Sequence, residues 1–281
     1  MLLRRVISHV RNQEWTAIAI DLVIVVVGVF IGIQVANWND LRNEHWRAHG
    51  YLERMRADLD ADIANFRQRI GFWKTVQQYG RAGLAYAEGD RSKEQQWWDL
   101  VLAYFQASQV AEFATQDTTF RELTSAGDLD LVTDVELRNS LALYYAMALS
   151  AQPALTERPR YREHIRGIVP IDVQDHVWAN CFRTNSHSEQ ELPACPSPIE
   201  EERAEQIVAE ISSNRELMAE LRYWISTLQV ATLIATDRIA NAQELRAEVD
   251  AEIARSLNYG TPPARPDGRA AREKRSKPES G

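Results

Sequence analysis

The chain has 281 residues, a formal net charge of -8, 45% hydrophobic and 26% charged side chains, and only 12 glycines and 10 prolines. That size holds one large or two modest domains besides an anchor, and long Ala-, Leu-, Glu-, Arg- and Gln-rich stretches favour helix over strand. The acidic balance argues against a general nucleic-acid binder, because no basic excess is available to replace phosphate counterions.

The chain opens with "LLRRVISHVRNQ". Leu3, Val6, Ile7 and Val10 recur at i, i+3, i+4, i+7, while Arg4, Arg5 and Arg11 stand without an acid. Residues 1–14 therefore read as a basic amphipathic segment suited to an anionic cytoplasmic leaflet.

Residues 15–38 read as a transmembrane anchor. From Ala17 to Ala36 the strongly polar residues are Asp21 and Gln34, and a helix of that length spans about 30 Å, the hydrocarbon thickness of a bilayer. Trp15 and Trp38 flank the run where interfacial aromatics sit. A cleaved signal peptide has a shorter apolar core ending in small residues, and "QVANWND" is a poor cleavage site.

At about 100° per residue, Ala17, Asp21, Gly28, Gly32 and Ala36 share one face of this helix, with Gln34 opposite. Small residues four apart let two helix backbones approach closely. The expectation is a helix–helix interface with a carboxylate at one end, against a background in which glycine is common in membrane spans. Asp21 lies about one turn inside the boundary. It reads equally as a carboxylate reaching the head groups and as an intramembrane partner for a cation or a proton path.

Orientation is not settled by the basic residues, since Arg42, Arg47, Arg54 and Arg56 follow the span. The basic amphipathic start and the short leading segment favour a cytoplasmic N-terminus. In a Gram-negative cell the remainder is then periplasmic.

Residues 39–258 read as a helical ectodomain. Leu41, Ala48, Leu52, Met55, Leu59, Ile63, Phe66, Ile70 and Trp73 fall at three- and four-residue steps, which predicts one long amphipathic helix ending near Gly80. "SKEQQWWDLVLAYFQ" opens with a capping box, Ser92 with Gln95. "TTFRELTSAG" is a short helix closed by Gly127. The next helix opens at Thr133 or Asp134 and ends before Pro153. "SPIEEERAEQIVAEI" takes Ser197 as cap, Pro198 in the first turn and Glu200 in the box position.

Asn214 caps a second long helix, whose apolar stripe runs through Leu217, Leu221, Trp224, Leu228, Ala231, Ala235, Ile239, Ala242, Leu245, Val249 and Ile253. Two helices of this length suggest coiled-coil-like antiparallel pairing that returns the C-terminus toward the membrane. Residues 259–281 read as a disordered basic tail.

Few residues carry recognisable chemistry. His45, His49 and Glu53 are spaced to face one side of a helix, but lack the H-E-x-x-H pattern and read as a solvated face. His176, Cys181, His187 and Cys195 offer zinc-type ligands without a close C-x-x-C pair. A Cys181–Cys195 disulfide is the better reading, closing a loop worth about 3 kcal/mol in the chain-entropy model. Asp128, Asp130 and Asp134 read as a turn leading to a helix cap rather than a calcium loop. No P-loop, G-x-S-x-G or dinucleotide fingerprint occurs, so neither catalysis nor a cofactor is expected.

Two stretches resemble a bacterial family of single-pass membrane proteins that carries a domain-of-unknown-function label. "VVVGVFIGIQVANWND" is similar to that family's N-terminal span, with the acid at Asp21, then Gly28, Gly32, Gln34, Asn37, Trp38, Asn39 and Asp40 in the matching positions. "TTFRELTSAGDLDLVTDVELRNSLALYY" is similar to its helix–turn–helix segment. The resemblance implies a membrane anchor and a helical ectodomain, and no activity.

The expected architecture is all-α: one N-terminal transmembrane helix, then two long antiparallel helices and several short ones. The expected role is a membrane-anchored scaffold, sensor or interaction protein of the bacterial inner membrane. Its partners would be membrane lipid and either a second copy or another membrane protein. The alternative is a stator-like subunit of a proton-driven complex, with Asp21 as the titrating carboxylate.

Overall fold

The computed structural model describes residues 15–90, 96–111, 115–155, 158–184 and 189–258. Among them lie eight α-helices: α1 (Trp15–Ala87), α2 (Trp97–Gln106), α3 (Thr118–Ser125), α4 (Val135–Leu155), α5 (Arg160–Ile168), α6 (Ile171–Asn180), α7 (Glu201–Ser213) and α8 (Arg215–Asn258). Strand among the described residues is confined to β1 (Arg183–Thr184) and β2 (Gln190–Glu191), an antiparallel pair with Arg183 opposite Glu191. The chain is all-α with one long apolar N-terminal helix, as its periodicity predicts. The segment 1–14, the Ser92 and Gln95 box, His187 and the tail 259–281 lie outside the described residues.

The chain divides into two units, Met1–Leu52 with Ile253–Gly281, and Glu53–Glu252. In the second unit α1 and α8 run antiparallel. Arg56 pairs with Asp250 at 3.8 Å, Arg246 with Asp60, and Arg222 with Glu88 at 3.0 Å. Met55, Leu59, Ile63, Phe66, Trp73 and Val76 on α1 are buried, as are Leu217, Leu221, Trp224, Leu228, Ala231, Ala235, Ala242, Leu245 and Val249 on α8. Full burial stabilises each large apolar side chain by roughly 1.5–3 kcal/mol, which makes this seam the main tie between the two helices. Leu41, expected on the same stripe, is 64% exposed.

The buried helix α2 is the centre of the second unit, with every residue from Leu100 to Gln106 inside. The polar groups of α2 and of the two residues after it are met by side chains from other elements. Tyr161 donates to the Tyr104 carbonyl at 2.8 Å, Trp224 Nε1 to the Ala107 carbonyl at 2.9 Å, and Arg162 to the Ser108 carbonyl at 2.7 Å. The Arg166 guanidinium lies 4.8 Å from the Trp178 ring centre and 5.5 Å from that of Phe105. Burial, with Arg162 beside it, pushes the Arg166 guanidinium down to about 10. Pairing of these groups removes the desolvation cost that an orphaned buried polar atom would carry.

Helix ends show where local signals held and where packing overrode them. α1 continues past Gly80 to Ala87, because both glycines in that stretch serve close approach rather than termination. A Cβ on residue 80 would lie 2.8 Å from Ile225 Cδ1, and one on residue 83 would lie 2.6 Å from Tyr104 Cε1. Its true stop is Gly89, at φ 95°, with Asp90 N–H bonded to the Ala85 carbonyl and Gly89 N–H to the Tyr86 carbonyl. Gly127, at φ 73°, closes α3 with the same pair of bonds, Asp128 to Leu123 and Gly127 to Thr124.

Asp134 is the cap of α4, its Oδ1 accepting from the Glu136 and Leu137 N–H groups at 2.9 and 3.1 Å. This helix runs through Pro153 to Leu155, so the proline removes one intrahelical bond without ending it. Asn214 caps α8 through the Leu217 N–H at 3.1 Å. The expected box at α7 is not formed: Ser197 Oγ folds onto Ile199, and the helix starts at Glu201 after an extended Glu200.

Candidate functional site

The first candidate is the apolar part of α1. Its most apolar 18-residue window has a mean hydropathy of 2.5, enough in length and composition to cross a membrane. From Ile20 to Leu41 every large apolar side chain is between 47% and 64% exposed. Asp21, Gly28, Gly32 and Ala36 all lie on this exposed stretch, and nothing approaches within 4 Å of where a Cβ would stand on Gly28 or Gly32. Trp15 and Ala17 belong to the first turn of α1, and their side chains lie outside the described residues. Among the described residues Asp21 has no hydrogen bond or ion pair.

At the end of this stretch Trp38 is 62% exposed, and the Arg42 guanidinium stands 5.1 Å from its ring centre. Such a pair is suited to a boundary between hydrocarbon and water. One turn on, His45 Nε2 lies 3.0 Å from the Ser256 carbonyl in the last turn of α8. A carbonyl only accepts, so the imidazole is the donor there, and it meets one of the open carbonyls of a helix C-terminus. Glu53 accepts a hydrogen bond from Arg56. His45 thus serves a helix end, and among the described residues His45, His49 and Glu53 do not gather into a ligand set.

The second candidate is the cysteine loop. Cys181 and Cys195 form a disulfide with their Cα atoms 5.3 Å apart, closing the segment that holds β1 and β2. Both half-cystine carbonyls accept bonds from α2: Gln106 Nε2 to Cys181 at 2.7 Å and Trp98 Nε1 to Cys195 at 2.9 Å. His176 has a ring nitrogen within 4.8 Å of both sulfurs. Its Nε2 is 2.9 Å from the Pro196 carbonyl and its Nδ1 3.3 Å from Asn180 Nδ2. With both sulfurs joined, the arrangement is a clasp between the loop and the central helix.

The third is a polar cluster buried in the seam of the second unit. Asp62 is 0% exposed. Its Oδ1 accepts from the Gln116 N–H at 2.8 Å, and its Oδ2 from the Tyr144 hydroxyl at 2.8 Å. Arg238, 3% exposed, donates through Nη2 to the Tyr144 carbonyl at 2.7 Å, with its guanidinium 4.7 Å from the Tyr144 ring centre. Tyr145 stacks on Phe120 with ring centres 4.5 Å apart. Asp58 Oδ2, Tyr145 Oη, and Nε and Nη1 of Arg238 are buried without a hydrogen-bond partner.

Burial is the largest influence on Asp62 and pushes its carboxyl up to about 6, with Asp58 adding to the rise. The Gln116 N–H, the Tyr144 hydroxyl and Arg238 oppose it. The hydroxyls of Tyr144 and Tyr145 are pushed up by burial and by the nearby acids. Arg238 is held below its ordinary range by burial.

Sequence reading did not single out this cluster, although a signal was present. Met55, Leu59, Asp62 and Phe66 follow steps of four, three and four, and Ala231, Ala235, Arg238 and Ala242 do the same. A charged residue holds one seam position on each long helix.

No family model, no curated protein and no solved structure matches this chain.

Proposed function

We propose that this is a non-enzymatic, membrane-anchored helical scaffold, sensor or interaction protein. Residues 15–38 sit in the bilayer, and the face bearing Ala17, Asp21, Gly28, Gly32 and Ala36 associates with a second copy or another membrane protein. The observation that carries the reading is the continuous apolar run from Ile20 to Leu41, exposed on every side of a helix. Burying such a run in lipid removes the cost of leaving it in water, whereas a soluble monomer rarely leaves so large an apolar surface open. The open backbone at Gly28 and Gly32 supports close helix approach on that face. The Cys181–Cys195 disulfide supports placing the helical body in an oxidising compartment, hence a periplasmic body and a cytoplasmic N-terminus at the inner membrane.

The test is fractionation followed by crosslinking in membranes. The wild-type chain sediments with membranes, resists alkaline extraction and yields a crosslinked species. Gly28→Ile combined with Gly32→Ile keeps the membrane fraction and loses the crosslink. Recovery of the wild type in a detergent-free high-speed supernatant overturns the anchor. An unchanged crosslink in the double variant overturns the interface.

A further inference from the structure

We propose that Asp62 is a proton-binding site that fastens α4 and the segment before α3 to the α1 and α8 pair, and that the site grips harder with its proton on.

The geometry supplies the reason. Four parts of the second unit converge on one carboxylate that has no contact with solvent. From α1 come Asp62 itself and Asp58, one turn earlier on the same face. The segment before α3 contributes the Gln116 N–H and, next to it, Asp117, which is paired with Arg121 at 3.3 Å. Helix α4 contributes Tyr144 and Tyr145, and α8 contributes Arg238. Of these, Asp58 disfavours the charge on Asp62, while the Tyr144 hydroxyl and Arg238 favour it.

With Asp117 paired to Arg121, the two remaining acids and one guanidinium leave one negative charge in excess. Among the described residues Arg238 makes no ion pair with Asp62, its donors being spent on the Tyr144 carbonyl or left unpartnered. A proton on Asp62 cancels the excess without a counterion; it weakens the bonds accepted from the Gln116 N–H and the Tyr144 hydroxyl, but the burial cost it removes is the larger influence. A neutral carboxyl is also far cheaper to bury than an ionised one.

The sign follows from where the proton is held. The folded carboxyl titrates near 6, above a solvent-exposed Asp. The folded unit therefore binds a proton that the opened chain releases between those two values. Its folding constant rises as pH falls through 6, by about tenfold between roughly pH 7.5 and 5.

The experiment is reversible denaturant unfolding of the full chain in detergent micelles at a series of pH values. Wild type is compared with Asp62→Asn, so that the titrating groups not coupled to Asp62 cancel. The expected result is that wild type gains about tenfold in its folding constant relative to Asp62→Asn between roughly pH 7.5 and 5. Parallel pH profiles overturn the proposal.

Tyr144→Phe keeps the ring under Arg238 but removes the hydroxyl that favours the ionised acid. It moves the onset of the gain to higher pH, and an unmoved onset in this variant overturns the proposal even if Asp62→Asn does not fold. Infrared spectra supply the signature that a purely structural carboxylate lacks. A protonated-carboxyl stretch grows in the wild type as pH falls through 6, and its absence at pH 5 also counts against the site.

Discussion

The hydroxyl of Tyr104 donates to the carbonyl oxygen of Gly83 at 2.7 Å, and the same ring fills the space a side chain on residue 83 would need. Tyr104 is fully buried in α2, so its ring has no free direction in which to retreat. Gly83→Ala therefore forces two helices apart despite the better helix propensity of alanine, and destabilises the fold by about 1–3 kcal/mol. Tyr104→Phe, which keeps the ring and removes a second bond from a carbonyl that the helix itself still serves, costs about 1 kcal/mol. Unfolding midpoints of the two variants check both values, and a stabilised Gly83→Ala would show that α1 and α2 are not in contact there.

Much of this architecture was legible because it rests on periodicity. The stripes of α1 and α8 announce two helices that bury one face each, and Asp134 and Asn214 cap their helices where the residue type suggests. The end of α1 was not legible. Gly80 reads as a stop until Leu221 and Ile225 are known to press against it, and that contact links residues more than a hundred positions apart. The buried acid was hidden for a related reason. A lone Asp beside an apolar stripe ordinarily turns to solvent, and only the arrival of Tyr144 and Gln116 from distant segments makes burial of Asp62 affordable. The exposed run in α1 needed no tertiary information, since its length and composition define it.

The disulfide offers a second measurement. Cys181 and Cys195 are 14 residues apart, and in the chain-entropy model closing a loop of that size restricts the unfolded chain by about 3 kcal/mol. Both carbonyls of the pair also hold side chains of α2, so opening the loop loosens the centre of the second unit. Reduction, or Cys181→Ser with Cys195→Ser, should lower the unfolding midpoint in denaturant by an amount equivalent to about 3 kcal/mol. A midpoint indifferent to reductant would mean that the sulfurs are not joined in the isolated protein.

The capping residues permit the most local test. Asp134 accepts two backbone N–H bonds at the start of α4, and Asn214 accepts one at the start of α8. Alanine at either position leaves the helix in place but returns those donors to water, at a cost of about 1 kcal/mol each. Asp134 also places a negative charge at a helix N-terminus, where it interacts favourably with the helix dipole. Asp134→Asn should therefore recover most of the bonding while losing the charge, and its stability should fall between wild type and Asp134→Ala. Asn214→Asp is the reciprocal change and should hold or raise stability at neutral pH. Thermal midpoints of the four variants decide the matter: equal losses for Asp134→Asn and Asp134→Ala would assign the whole effect to charge, and no loss in either alanine variant would remove both caps from the account of how these helices begin.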